Sequence, residues 1–439
     1  MSDFKVSIPY NADVMNPLTF EFKGDPKYGL DKTIVNGIRR ILLSSMDSVA
    51  FRTTQENSDL KVVTNNSSLH NEFLLHRIGL IPLYIDPNFK DRGWHKDYLF
   101  QLKVENKTNQ LKPISAENID IYKVKASVLK KCVDSNDFSQ MDNFDIENYN
   151  ITEEGKLTPK QKEEISKQKE EIFKPFEYDY DGGKEKEYCL ITELNTNKSE
   201  DNYQELYIYG SPSVSNCNED VRWQVVSCAT YSFKEDEELF KAIKQEKIKV
   251  NNVPDDPKIR EKFEKELYIS EGERYFHRDV NLQPYWYNFK LETQGYFQPN
   301  KLLVKACDQI IKQFEGLKIE FKKMLDPDTA SVMEIKKAKD SDLVYKIVMT
   351  GGDDTIGSIL QAHICNKLID EESLFNLCGY KKLHPLEEII TFTISLNTKN
   401  KIVKMDNIQK VNAIVDQMIT GCNEVSLIYQ KINDEFKKI

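Results

Sequence analysis

His70 and His76 bracket Glu72 in HNEFLLH, the residue types of a zinc-peptidase helix in which two imidazoles hold the metal and a carboxylate acts as general base. That chemistry needs ligands at i and i+4, one helical turn apart. Here they are six apart and point in different directions, so metal binding is not expected and a hydrolase built on these three residues is disfavoured. Glu72 instead suits the first turn of a helix, where the positive end of the macrodipole favours a carboxylate. Ser67 or Ser68 is the expected cap of that helix, and Gly79, ahead of Pro82, its expected stop. GGDDT at 351–355 has the shape of a phosphate cradle, yet it lacks the GK[ST] lysine and puts two aspartates where the anion would sit. It reads as an acid-capped turn between a strand and a helix. Asp326 and Asp328 flank Pro327 in a polar stretch with nothing to hold two carboxylates in a fixed geometry. The eight cysteines, at 132, 189, 217, 228, 307, 365, 378 and 422, contain no CxxC pair, so neither a zinc ribbon nor a redox dithiol is encoded. The expectation is a chain with no catalytic residue, no bound metal and no cofactor.

Residues that do no chemistry must be positioned for something else, and the patterning shows by what. Leu18, Phe20 and Phe22 alternate with polar residues, as a strand with one buried face requires. A helix follows, with Ile34, Ile38, Ile41, Leu42 and Ser45 on one stripe and Asp31 or Thr33 to cap it. Tyr285, Tyr287, Phe289 and Leu291 mark a later strand. The next helix opens after Pro299, carries Leu302, Leu303, Ala306, Ile310 and Phe314, and is expected to end at Gly316. The last hundred residues repeat the plan. A strand at 343–349 precedes a helix opening at Asp353 or Asp354 with Ile356, Ile359, Leu360 and Ile364 on one side. A strand at 390–396 precedes a long helix carrying Ile408, Val411, Val415, Met418, Val425, Ile428 and Ile432. Asp31-Lys32-Thr33-Ile34 and Asp353-Asp354-Thr355-Ile356 echo one another at the two helix starts, which points to a pseudo-twofold pair.

The length of 439 residues allows two or three domains, and 39% hydrophobic with 30% charged residues suits a folded chain. The expected class is α+β. One half comprises 1–50 and 225–322, a mixed and mainly β insert 51–224, a polar linker 323–340, and the second half 341–439. Within this scheme 153–172 and 234–272 are highly polar, and composition does not decide whether they are ordered. A net charge of −10 withholds the basic field that phosphate binding uses, so protein partners are expected and little nucleic-acid contact. No apolar run approaches the ~18 residues of a membrane span, and MSDFKVSIPYNADVM has no apolar signal core. An intracellular protein is expected, without a membrane partner.

Three segments carry a resemblance to a known family. DKTIVNGIRRILLSS at 31–45 resembles the N-terminal helix of the alpha subunits of RNA polymerases, a family that includes archaeal D and the eukaryotic third-largest subunits. TNNSSLHNEFLLHRIGLIPL at 64–83 is similar to the signature that follows in that family. GDDTIGSIL at 352–360, with NLCGYKKLHPLEEIITFTISL at 376–396, resembles the smaller partner family of the eukaryotic eleventh subunit and archaeal L. RWQVVSCATYSF at 222–233 and YNFKLETQGYFQP at 287–299 match more weakly. The resemblance implies two alpha-like dimerisation domains fused end to end into an intramolecular pseudo-dimer, a non-catalytic assembly platform for a DNA-directed RNA polymerase.

The resemblance further implies that Thr33, Ile34, Ile38, Ile41 and Leu42 pack against Thr355, Ile356, Ile359, Leu360 and Ile364. It implies that Arg39, Arg40, Glu72, His76, Arg77, Gly79, Leu80 and Pro82 face the large polymerase subunits, with the largest, the second-largest and a small zinc-bearing assembly subunit as partners. Gly379, Tyr380, His384 and Pro385 are expected to form a turn in the second half. Many third-largest subunits carry a metal-binding loop in the insert, but Cys132, Cys189 and Cys217 are too dispersed for one. The fused arrangement is similar to what large DNA viruses of eukaryotes encode, and the Asn-, Lys- and Ile-rich usage fits an AT-rich genome. Such a chain would work in the host cytoplasm or virion, and a cellular one in the nucleus. The competing expectation is an interaction scaffold of the same fold outside transcription.

Overall fold

Two periodicities, two residues for strands and 3.6 for helices, sort the apolar side chains into inner faces. The computed structural model describes residues 5–7, 17–24, 30–54, 57–87, 98–123, 167, 169–180, 182–196, 203–279, 282–294, 297–326, 328–339, 341–367, 373–384 and 386–438. They fall into two compact units. The first is Met1–Leu43, Val226–Thr293 and Gln298–Ile439, and the second is Ser44–Val225 with Gln294–Phe297.

In the first unit, β1 (Lys5–Ser7), β2 (Leu18–Lys23), β3 (Val226–Phe233) and β4 (Trp286–Thr293) form an antiparallel sheet in the order β1-β2-β4-β3. Helix α1 (Lys32–Ser44) follows β2. Helices α2 (Glu237–Val250) and α3 (Pro257–Glu271) lie between β3 and β4, and α4 (Pro299–Lys323) follows β4. A second antiparallel sheet holds β5 (Met333–Lys337), β6 (Val344–Thr350), β7 (Phe375–Lys382) and β8 (Ile389–Leu396) in the order β5-β6-β8-β7. Here α5 (Asp354–Lys367) follows β6 and α6 (Asn407–Phe436) follows β8. The two sheets therefore share one strand order, first-second-fourth-third, with a helix after the second and fourth strands.

Capping and packing explain the helices. Asp31 caps α1, its Oδ1 accepting from the amides of Thr33 at 2.7 Å and Ile34 at 3.2 Å. Asp406 caps α6 through the amide of Gln409 at 2.7 Å. Along α6 a stripe from Ile414 through Val415, Met418, Val425, Tyr429 and Ile432 to Phe436 is buried, and α4 buries Leu302, Leu303, Ile310, Phe314 and Phe321. The Phe436 ring meets Phe20 of β2 edge-on at 5.6 Å, and Asn433 Nδ2 donates to Asp308 Oδ1 of α4 at 2.6 Å. Each buried large apolar side chain contributes roughly 1.5–3 kcal/mol, against about 1 kcal/mol for a neutral hydrogen bond. Packing thus holds the helices together, and the polar contacts select their register.

The second unit is mainly β. Leu60–Asn65, Gln204–Gly210, Tyr98–Asn106 and Ile119–Lys123 lie side by side in one antiparallel sheet. Three further strand pairs accompany it: Ser48–Ala50 with Ser213–Ser215, Lys112–Ser115 with Leu190–Leu194, and Phe176–Tyr180 with Gly183–Glu187. Phe51, Phe100, Ile114, Ile191 and Leu206 fill its core together with Leu74 and Ile78 from the helix Asn71–Gly79.

Several expectations need correction. Gly316 does not end α4; Leu317 and Phe321 continue the apolar stripe, and burial outweighs the roughly 1 kcal/mol a mid-helix glycine costs. A Cβ at Gly316 meets nothing within 4 Å. Gly316→Ala is therefore expected to raise stability by about 0.5–1 kcal/mol, read as a higher urea midpoint. The segment expected as a linker contains β5, paired along its length with β6. The polar stretch 234–272, whose order composition left open, forms α2 and α3, joined by Lys244–Glu264 at 3.0 Å and a Lys247–Glu271 ion pair. Ile408 is 72% exposed because α6 begins at Asn407, before the stripe turns inward. Gly379 and Tyr380 are not a turn but residues of β7, where a bulge between Phe375 and Leu377 disguises the two-residue period. Most of 153–172, together with Cys132 and Pro385, lies outside the described residues.

Candidate protein-docking site

The signature segment 64–83 builds one wall of a groove in the second unit. Asn65 organises its start: Oδ1 accepts from the Ser67 amide at 3.0 Å and hydroxyl at 2.6 Å, while Nδ2 donates to the Leu69 carbonyl at 2.9 Å. Ser67 is thereby used up. The helix starts only after His70, which occupies the cap position without a side-chain bond, so neither serine caps it as expected. Leu74, Ile78 and Gly79 face the core, whereas Glu72, Phe73, His76 and Arg77 are exposed. Beyond the helix the chain alternates strictly: Ile81, Leu83 and Ile85 are buried and Leu80 and Pro82 are exposed.

The role of Gly79 is close approach rather than a left-handed stop. A Cβ there would lie 2.7 Å from Arg222 Nη1 and 3.1 Å from the Phe51 carbonyl oxygen. Into that space comes the buried Arg222 guanidinium, which donates to the Phe51 carbonyl at 2.9 Å, to the Thr53 hydroxyl, and through Nε to Asp220 Oδ1 at 3.0 Å. Asp220 is part-buried, which raises its pKa, but the hydrogen bonds from Arg222 outweigh this and hold it below the ordinary aspartate value, with His76 adding in the same direction. Leu80 and Pro82 face Val221, Arg222, Gln224 and Phe297 across a groove of about 340 Å³. Leu80 is 46% and Val221 60% exposed. Apolar side chains left in water around a hydrogen-bonded arginine suit a partner side chain.

Asp220 ties this site to pH. Its lowered pKa stabilises the fold above the unfolded value near ~3.9, and that contribution is lost as pH falls through the folded value. Arg222→Met removes the donors to Phe51 and Thr53 and is expected to cost about 2–3 kcal/mol. It should also flatten the acid limb of the urea midpoint below about pH 4. An acid limb identical to wild type would contradict the pairing.

The other expected residues lie in the first unit. Ile34, Ile38, Ile41, Leu42, Thr355, Ile356, Ile359, Leu360 and Ile364 are buried, and Thr33 is half-buried with its hydroxyl donating to Asp31. Arg40 Nε donates to Thr355 Oγ1 at 2.8 Å, and Asn366 Nδ2 to Asp31 Oδ2 at 3.2 Å. Arg39 donates to Asn36 of its own helix at 2.9 Å. Two residues overlooked from sequence complete the meeting of α1, α5 and α6. A Cβ at Gly37 would lie 2.7 Å from Ile359 Cδ1, and the fully buried Tyr429 donates to the Ile34 carbonyl at 3.0 Å. Tyr429 sits four residues after Val425 on the α6 stripe, the pattern that marks it. Tyr380 packs on Gly357 and donates to Asp354 at the start of α5; burial and that carboxylate together push its phenol up. His384 is exposed, its Nδ1 accepting from the Leu386 amide at 3.2 Å. Arg39 and Arg40 thus belong to one unit and Glu72, His76, Arg77, Gly79, Leu80 and Pro82 to the other. Arg77 is engaged with the Leu190 carbonyl at 2.9 Å. Val221, Arg222 and Phe297 were not foreseen; Arg222 opens the weakly matching RWQVVSCATYSF and Phe297 falls in YNFKLETQGYFQP, while Val221 lies in neither.

Among the described residues, no three His, Cys, Asp or Glu side chains are grouped to hold a metal, and no helix is long and apolar enough to cross a membrane. Comparison with known proteins gives the family. Residues 28–314 match the RNA polymerase Rpb3/Rpb11 dimerisation domain. Subunit rpac1 of DNA-directed RNA polymerases I and III of Dictyostelium discoideum is 33% identical over 110 residues, 24% of this chain and 28% of that protein. The Homo sapiens subunit RPAC1 of the same polymerases is 39% identical over 85 residues, 19% of this chain and 21% of that protein. A Tetrahymena thermophila conjugation stage-specific protein is 42% identical over 53 residues, 12% of this chain and 15% of that protein. These alignments span about a quarter or less of each relative. With the family match covering well over half of its residues, the chain belongs to the RNA polymerase Rpb3/Rpb11 dimerisation domain family.

Proposed function

We propose that the chain is a non-catalytic assembly subunit of a multisubunit DNA-directed RNA polymerase, in which two alpha-like halves fused end to end form an intramolecular pseudo-dimer. The observation that carries this is the repeated strand order, first-second-fourth-third with a helix after the second and fourth strands, in one compact unit where α1, α5 and α6 meet. Fusion makes the pairing intramolecular and sets its stoichiometry at one to one. The groove beside Leu80 and Val221 is the docking place for the second-largest subunit, with the largest subunit and a small zinc-bearing subunit joining the assembly. The fused arrangement is of the kind large DNA viruses encode, with host cytoplasm or virion as its place of work. That last reading rests on sequence resemblance alone.

A tagged copy recovered from the native source, with partners identified by mass spectrometry and template-dependent RNA synthesis assayed, tests the proposal. Two very large subunits and polymerase activity are the expected companions. Recovery alone or with unrelated proteins would mean that the fold serves as a scaffold outside transcription.

A further inference from the structure

The ribbon of Phe176–Tyr180 and Gly183–Glu187 exposes every side chain but Tyr178, which is half-buried. Two strands alone are marginal in water, so this ribbon does not exist to shelter a face of its own. Its register pairs Phe176 with Glu187, Tyr178 with Glu185 and Tyr180 with Gly183. Directly opposed residues share a face, so one side carries three aromatic rings and two glutamates. The other carries Glu177 and Asp179 opposite Lys186 and Lys184.

The two faces differ in charge balance. Lys186 reaches Glu170 at 2.8 Å and Glu177 at 3.7 Å, so the lysines offset the acids on their own side. The aromatic side has no lysine, and among the described residues neither Glu185 nor Glu187 is in an ion pair. Phe176 and Tyr178 stack with centroids 6.1 Å apart at 21°, and the Tyr178 hydroxyl donates to Glu185 Oε2 at 3.1 Å. Phe176 is 70% and Tyr180 64% exposed. Ring faces attract cations, and adjacent carboxylates add to that field while repelling phosphate. Alternate side chains of a strand are spaced by about 6.6–6.8 Å, close to the separation of these rings.

We propose that this face docks an extended basic segment of a partner protein, with arginines or lysines at alternate positions over Phe176, Tyr178 and Tyr180 and paired to Glu185 and Glu187. The inference is independent of which complex the chain belongs to.

The test titrates the full chain with fluorescein-labelled peptides and reads anisotropy. The probes are an alternating Arg-Val octamer, the same composition with its arginines clustered at one end, an alternating Glu-Val octamer, and a single-stranded RNA of equal length. The alternating basic peptide is expected to bind tightest. Phe176→Ala with Tyr180→Ala, which leaves the charge untouched, should weaken it by about 10-fold, as loss of anchoring rings does at protein interfaces. Glu185→Gln with Glu187→Gln should weaken it further, while Lys184→Gln with Lys186→Gln on the opposite face should not. Equal binding of the clustered peptide, the acidic peptide or RNA would overturn the proposal, as would ring variants that bind like wild type with an unchanged circular dichroism spectrum.

Discussion

Gly37→Val will destabilise the chain by about 3–5 kcal/mol, seen as a lower urea midpoint of the full-length protein. A Cβ at this position lies 2.6 Å from the Tyr429 hydroxyl and 2.7 Å from Ile359 Cδ1, closer than side-chain carbons are found. Neither neighbour has room to yield. Tyr429 and Ile359 are both buried, and the tyrosine hydroxyl is committed to the Ile34 carbonyl. Forcing them apart combines overpacking with a buried tyrosine hydroxyl deprived of its acceptor, and the small gain in helix propensity on removing a glycine does not offset that. Coupling provides a sharper readout. Tyr429→Phe removes the atom that Cβ meets first, so Gly37→Ala should cost less in the Tyr429→Phe background than alone. Strict additivity would show that α1 and α6 do not meet through these residues.

Leu80→Glu combined with Val221→Glu should reduce recovery of the large polymerase subunits by about 100-fold, equivalent to roughly 2.7 kcal/mol of binding, at an unchanged urea midpoint. Both side chains stand in water in the isolated chain, so charge there costs the fold little. In a docked complex the same carboxylates would be stripped of water beside apolar groups, and Arg222, the cation lining the groove, is already committed to Phe51, Thr53 and Asp220. A fall in midpoint parallel to the loss of partners would assign the residues to folding instead. Full recovery with both glutamates in place would remove this groove from the assembly surface. Gly37 reports on the internal pairing of α1 and α6, and Leu80 with Val221 on a surface.

Whatever depends on local periodicity and local capping was legible in the chain before folding. Alternation at Leu18, Phe20 and Phe22 and at Phe392, Ile394 and Leu396, and the stripes on α1, α5 and α6 apart from Ser45, which lies past the end of α1, and the exposed Ile408, follow from side-chain direction alone and stand in the structure where they were expected. Asp31 caps from two and three residues away, so it too was readable. The reading failed where a local pattern competed with a distant contact. Gly316 looked like a stop until Leu317 and Phe321 found a core, and the bulge beside Leu377 broke the alternation that would have marked β7. The serines before the 71–79 helix looked like caps until Asn65 took Ser67.

The sites arise from contacts that exist only once the chain has folded. Gly37 and Tyr429 meet across 392 positions of sequence, and Gly79 with Arg222 across 143, separations taken directly from the residue numbers. No window of the chain contains both partners of either pair. A glycine is needed at each place because of what arrives from elsewhere, not because of its own backbone. The groove has the same origin: Leu80 and Pro82 are outward residues of a segment whose inward residues are held by the core, while Val221 and Phe297 come from distant stretches. Patterning tells a residue which way to face; only the folded chain supplies what it faces.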